Sequence, residues 1–180
     1  MNRVIVLLLS VLFFSCSNLN MKKEEKIENP EYQILYENWQ LDQLRTKIDL
    51  DTAKYGKNKT IIFYERQLRI REQEKQDLLN LLDKIKIQFA LNDLSTLDNV
   101  LDIPLKGRYI KKELQNIDLS QIKLSYTIPT FFKNNAKNII GFRYEEEIIY
   151  FQVEYKLINN QWKIINFEER RWLHNWAKMK

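Results

Sequence analysis

The chain has 180 residues, of which 44% are hydrophobic and 29% charged, with only three glycines and three prolines. That is one domain's worth of chain with an extension, and it excludes a collagen-like, low-complexity or wholly disordered polymer. A net charge of +5, one cysteine and one histidine argue against a nucleic-acid footprint, an intramolecular disulfide and a zinc site of the usual type.

Met1-Asn2-Arg3 is a short positive stretch, and Val4 to Phe14 is apolar apart from Ser10. Eleven helical residues span about 16 Å, roughly half of a bilayer's hydrocarbon core, so the run reads as a secretory signal and not as a membrane span. The lone cysteine follows directly, in Phe13-Phe14-Ser15-Cys16. This resembles the lipobox of bacterial lipoproteins, in which a small residue precedes a cysteine that is diacylated and becomes N-terminal. Ser15 and Cys16 match that pattern, while Phe13 and Phe14 depart from its usual leucine and small residue. The resemblance implies a signal peptide over residues 1–15, lipidation of Cys16 and a stable hold on the membrane, since two or three acyl chains anchor where one does not. The alternative is an ordinary signal cut after Ser17. Ser17 itself resembles an outer-membrane sorting context, for a cell with two membranes. Residues 16–30 then form a polar tether, Lys22, Lys23 and Lys26 being offset by Glu24, Glu25 and Glu28.

Residues 31–76 read as a helical hairpin or stalk. Asn29 can cap, with Pro30 at the first helical position. Tyr32, Leu35, Trp39, Leu41, Leu44 and Ile48 recur at helical steps, and Tyr55-Gly56-Lys57-Asn58 is the best break. From Thr60 to Leu91, Ile61, Tyr64, Leu68, Arg71, Lys75, Leu78, Leu82, Ile85 and Phe89 step alternately by three and four, a heptad seam with two cations in its middle. Such a seam serves either a coiled coil between chains or a hairpin within one. The hairpin is the preferred reading and a monomer its expectation, because Arg71 and Lys75 suit a solvated stretch and facing copies of them would repel.

Residues 77–169 read differently. Asn92 suits a left-handed helix end, and Asp93 or Ser95 can cap a short helix after it. Strands are expected from Pro104 onward. Ile122, Leu124, Tyr126 and Ile128 alternate with polar residues, Asn134 to Lys137 reads as a turn, and Ile140, Phe142 and Tyr144 alternate again. Ile149, Phe151, Val153, Tyr155 and Leu157 form the clearest strand, turned at Asn159-Asn160 into Trp162 to Phe167. Helices followed by an antiparallel meander indicate an α+β fold with a curved sheet packed on helices. Trp162 is expected to pack over Phe89 or its neighbours.

The order helix, Ala90-Leu91-Asn92-Asp93, short helix, then strands closing on Gln161-Trp162-Lys163-Ile164 resembles the nuclear transport factor 2 superfamily. That resemblance implies a cone made by a curved sheet over helices, a shape used by envelope proteins and, in some relatives, by enzymes with Asp, His or Tyr groups in the pocket. Here His174 lies beyond the last strand and reads as a surface histidine, and no nucleophile motif or phosphate loop is present. Glu145-Glu146-Glu147 reads as a solvated turn and not a calcium site. No catalytic residue, cofactor or metal is therefore expected. Residues 170–180 form a basic, aromatic tail in which Trp172, Trp176 and Met179 share a helical face with Leu173 beside them. Arg170, Arg171, Trp172 and Trp176 are its candidate interaction surface, toward an acidic membrane or a partner. The preferred alternative has the tail folding back over the cone's open end. The expectation is a lipid-anchored, non-catalytic cell-envelope protein that binds a small apolar ligand or another envelope protein. An enzyme using an Asp or Tyr acid–base in a cone pocket, and a coiled-coil spacer, are the other readings.

Overall fold

The computed structural model describes residues 29–170. Cys16, most of the tether and the tail residues Arg171, Trp172, His174 and Trp176 lie outside them. The helices are α1 (Pro30–Glu37), α2 (Leu41–Tyr55), α3 (Lys59–Ala90), α4 (Ser95–Val100) and α5 (Pro104–Leu114). A 3-10 turn (Leu119–Gln121) leads into β1 (Lys123–Tyr126), β2 (Thr130–Phe132), β3 (Asn135–Tyr144), β4 (Glu147–Ile158) and β5 (Gln161–Glu169). All strand pairs are antiparallel; β3 takes β2 along its first half, β1 along its second and β4 on its other side, with β5 beyond β4. The result is the expected α+β fold, a curved sheet packed on helices.

Local chemistry explains the helix ends. The Asn29 side chain accepts from the Glu31 and Tyr32 N–H groups, and Asn58 caps α3 by accepting from Ile61. Gly56 supplies the positive φ between α2 and α3, and Asn92 supplies it after α3. Asn159 and Asn160 both have positive φ, the two-residue turn that lets β4 and β5 follow their natural twist.

The 32 residues of α3 are about 48 Å long and serve two cores in succession. Ile61, Tyr64 and Leu68 pack with Tyr32, Leu41, Leu44 and Ile48 of α1 and α2. Leu78, Leu82, Ile85 and Phe89 pack under the sheet with Leu124, Ile140, Val153 and Ile164. The seam is thus satisfied inside one chain, by a hairpin on its first half and by the sheet on its second.

Between the two cores the expectation for Arg71 fails. Arg71 is 3% exposed, with its guanidinium 4.2 Å from the Tyr36 ring centre and 4.4 Å from that of Trp39. It donates to Glu74 at 2.8 Å and to Asn134 of the β2–β3 turn at 3.4 Å. Planar guanidinium stacks on aromatic faces, so burial between two rings replaces the water the sequence reading gave it. Lys75, its neighbour on the seam, is exposed as expected. Trp39 carries the junction further. It sits at φ 56° after α1, stacks on Phe131 at 4.5 Å, and donates from its indole to the Lys133 carbonyl at 2.9 Å. The Lys133 N–H in turn donates to the Glu37 carbonyl at 2.7 Å.

Four further expectations are corrected. The segment after Pro104 is a helix, not a strand. Proline at its first position and Ile110, Leu114 and Ile117 at four- and three-residue steps are the signals that mark it. The turn expected at Asn134–Lys137 falls at Lys133–Asn134, and Ile128 is 82% exposed where alternation put it inside, because β1 stops at Tyr126 before Pro129. Trp162 does pack on α3, but at Glu74, whose carbonyl accepts its indole N–H at 2.7 Å, with Trp39 and Phe131 beside it. Phe89 meets Phe142 instead.

Removing the Arg71 cation leaves the Glu74 carboxylate, itself only 15% exposed, without its partner. Arg71→Ala is expected to cost about 3–5 kcal/mol in urea unfolding followed by circular dichroism. Arg71→Met combined with Glu74→Met should lose less than Arg71→Ala, since no charge is then stranded.

Candidate binding groove

The sheet turns one face toward α3, and strand register decides which residues line it. Ile140 pairs with Phe151, Phe142 with Ile149 and Leu124 with Phe142, so these side chains share the inner face. On β5 the alternation begins with Trp162 and Ile164, opposite Leu157 and Tyr155. A bulge then inserts Ile165, and Phe167 comes to lie opposite Val153 and Glu169 opposite Phe151. Without the extra residue, Asn166 and Glu168 would face inward instead.

Three phenylalanines consequently converge at the end of the sheet remote from the hairpin. Phe151 stacks on Phe167 at 4.3 Å, and Phe142 meets Phe151 edge-on at 5.6 Å and Phe167 at 6.3 Å. Behind Phe142 lies Phe89 at the end of α3. Facing the trio across an open groove of about 530 Å³ is α5, through Tyr109, Ile110 and Leu114. Ile149 and Tyr109 line the groove and are 42% and 65% exposed, large apolar surfaces left open to solvent. The groove's charged walls are Glu113, Glu168 and Glu169 against the single cation Lys106, whose ammonium is bonded to the Phe167 carbonyl.

Polar groups deeper under the sheet are occupied with one another. Tyr155 donates to the Asn138 side-chain oxygen at 3.0 Å, and the Asn138 amide donates to the Thr127 carbonyl at 3.3 Å. Burial holds the Tyr155 phenol well above its usual range, so it remains a protonated donor. Tyr126 donates to Asp83 at 2.5 Å at the sheet's edge; that bond, with burial and the carboxylate charge, pushes its phenol up to about 12. Neither tyrosine lines the groove.

Of the residues singled out from sequence, Arg170 is described: its backbone N–H donates to the Tyr150 carbonyl at 2.8 Å and its guanidinium pairs with Glu168 at 3.4 Å. Glu145 and Glu146 form the exposed β3–β4 turn, and Glu147 begins β4. Among the described residues, no cluster of His, Cys, Asp and Glu has metal-holding geometry, and no helix is long and apolar enough to cross a membrane. The groove itself escaped sequence reading, because its α5 wall was taken for a strand and its Phe167 position depends on a bulge. Comparison with protein-family models, curated proteins and solved structures finds no match to this chain.

Tyr155→Phe keeps the ring and removes the hydroxyl that donates to the Asn138 side-chain oxygen. A stability loss of about 1–3 kcal/mol is expected, the cost of stranding a buried acceptor.

Proposed function

We propose that the protein is a lipid-anchored, non-catalytic binding module of the cell envelope, held to the membrane through Cys16 and docking a partner protein in the groove between α5 and the phenylalanine trio. The groove's chemistry carries this reading. Its floor is aromatic, its rim acidic, and the tyrosines beneath the sheet are engaged with Asn138 and Asp83 and stand apart from it. Such a surface suits apolar side chains on a cationic segment. The likeness of the sheet-bearing half to the nuclear transport factor 2 cone remains part of the proposal, supported by the Trp162 of the closing motif packing onto α3.

Placement supports anchoring as well. Tyr32, at the start of α1, stacks on Tyr64 at 4.7 Å, whereas Phe89 backs the groove. The 25 residue steps from Tyr64 to Phe89 set the groove about 37 Å along α3 from the start of α1. The helix would hold the docking face off the bilayer.

Cys16→Ala is expected to abolish fatty-acid labelling and release the protein from the membrane fraction. Persistence of the variant in membranes washed with high salt would defeat the lipoprotein reading. The lipid-free polypeptide, residues 17–180, is expected to sediment as a monomer at micromolar concentration because the α3 seam is consumed within the chain. A dimer that Leu78→Asp dissociates would show the seam pairing between chains instead.

A further inference from the structure

A second recess, sharing no residue with the groove, opens beside the β4–β5 turn. We infer that it binds an uncharged polyhydroxylated ligand, a neutral sugar, through amide and hydroxyl side chains. Three elements wall it. Asp77, Leu81 and Lys84 come from α3, where steps of four and three put them on one face. Thr96 and Asn99 come from α4, and Asn160, Gln161 and Trp162 from the turn and the start of β5.

Hydrogen bonds fix these walls against one another. The Lys163 ammonium donates to the Asn99 carbonyl at 2.7 Å, and the Trp162 indole donates to the Glu74 carbonyl at 2.7 Å. Gln88 of α3 donates to the Ser95 hydroxyl at 3.0 Å and accepts from the Thr96 N–H at 3.2 Å. The recess is therefore preformed, and its volume of about 420 Å³ lies within the range of small-molecule sites, roughly 300–1,000 Å³.

Thr96 marks it as a place for a polar ligand. It lines the recess at 6% exposure, and among the described residues its hydroxyl has no hydrogen-bond partner. Leaving a buried hydroxyl unpaired costs about 1–3 kcal/mol. A hydroxyl delivered from the recess would pair with it and recover that cost.

The other lining groups decide the ligand's class. Asn99, Asn160 and Gln161 are exposed, and each amide presents an acceptor and two donors in one plane. Neighbouring sugar hydroxyls, each a donor and an acceptor at once, match such groups. Leu81 between Asp77 and Lys84 offers an apolar patch to the C–H face of a ring. Charge is balanced. With Lys163 engaged on Asn99, Asp77 and Lys84 stand as opposite charges two turns apart on the same wall. Neither an anion nor a cation finds a surplus of opposite sign there.

Titration of the isotope-labelled full chain, held in a detergent without a sugar head group, tests this by magnetic resonance of its side-chain amides. The neutral probes are glucose and N-acetylglucosamine; the charged ones are glucuronate, glucosamine and the zwitterion alanine. Saturable shifts of the Asn99, Asn160 and Gln161 amide signals with a neutral sugar are expected. Thr96→Val, which keeps the side chain's shape, should weaken that binding by about tenfold without lowering the thermal midpoint. Asn99→Ala should weaken it as well, its backbone carbonyl remaining for Lys163. No response to either neutral sugar, a tighter response to a charged probe, or affinity indifferent to Thr96→Val would overturn the site. Each of these results leaves the docking groove standing, since the two share no wall.

Discussion

A guanidinium buried between two aromatic rings holds this molecule together. Arg71 lies where α3 passes from one core to the other, and its four partners come from three parts of the chain. Tyr36 and Trp39 belong to the end of α1, Glu74 to the next turn of α3, and Asn134 to a turn of the sheet. Burial of a charge is expensive unless it is paired and hydrogen-bonded. Those contacts join the helical hairpin to the β2–β3 turn. The groove inherits the arrangement, since β3 runs from that turn to Phe142.

Register along β3, β4 and β5 does the rest. At the hairpin end the inner face is sealed by Trp162, Phe131 and Trp39, and in the middle it carries Tyr155 and Asn138. At the far end, the bulge at Ile165 adds Phe167 to Phe142 and Phe151, where simple alternation would have delivered Asn166 and Glu168. The same extra residue that makes the floor apolar also brings Glu169 to its edge. One irregularity thus sets the β5 contribution to both floor and rim.

Much of this architecture was legible in the amino-acid sequence, and the losses have identifiable causes. Period-two patterning in Phe151, Val153, Tyr155 and Leu157 gave the right face because a long central strand has no competing partner. The three- and four-residue steps from Ile61 to Phe89 gave the right helix and seam. Arg71 misled because a cation on an apolar seam is ordinarily solvated, and only the folded structure brings Tyr36 and Trp39 over it. α5 misled because its apolar positions are few and strands are the expectation from Pro104 onward. Of the groove, Ile149, Phe142 and Phe151 could be assigned to the inner face in advance. The position of Phe167 could not, since a bulge leaves no local mark in sequence.

The left-handed backbone at Trp39 has a consequence for how the chain comes together. A tryptophan at positive φ is strained by about 1–3 kcal/mol, and beyond the Arg71 guanidinium its ring finds partners far along the chain. Phe131, Lys133 and Trp162 are all more than 90 residues downstream. During synthesis the hairpin of α1, α2 and the first half of α3 emerges early and can form its own contacts. The full set of contacts on Trp39 therefore exists only once the strands that carry Phe131 and Trp162 are joined to the hairpin.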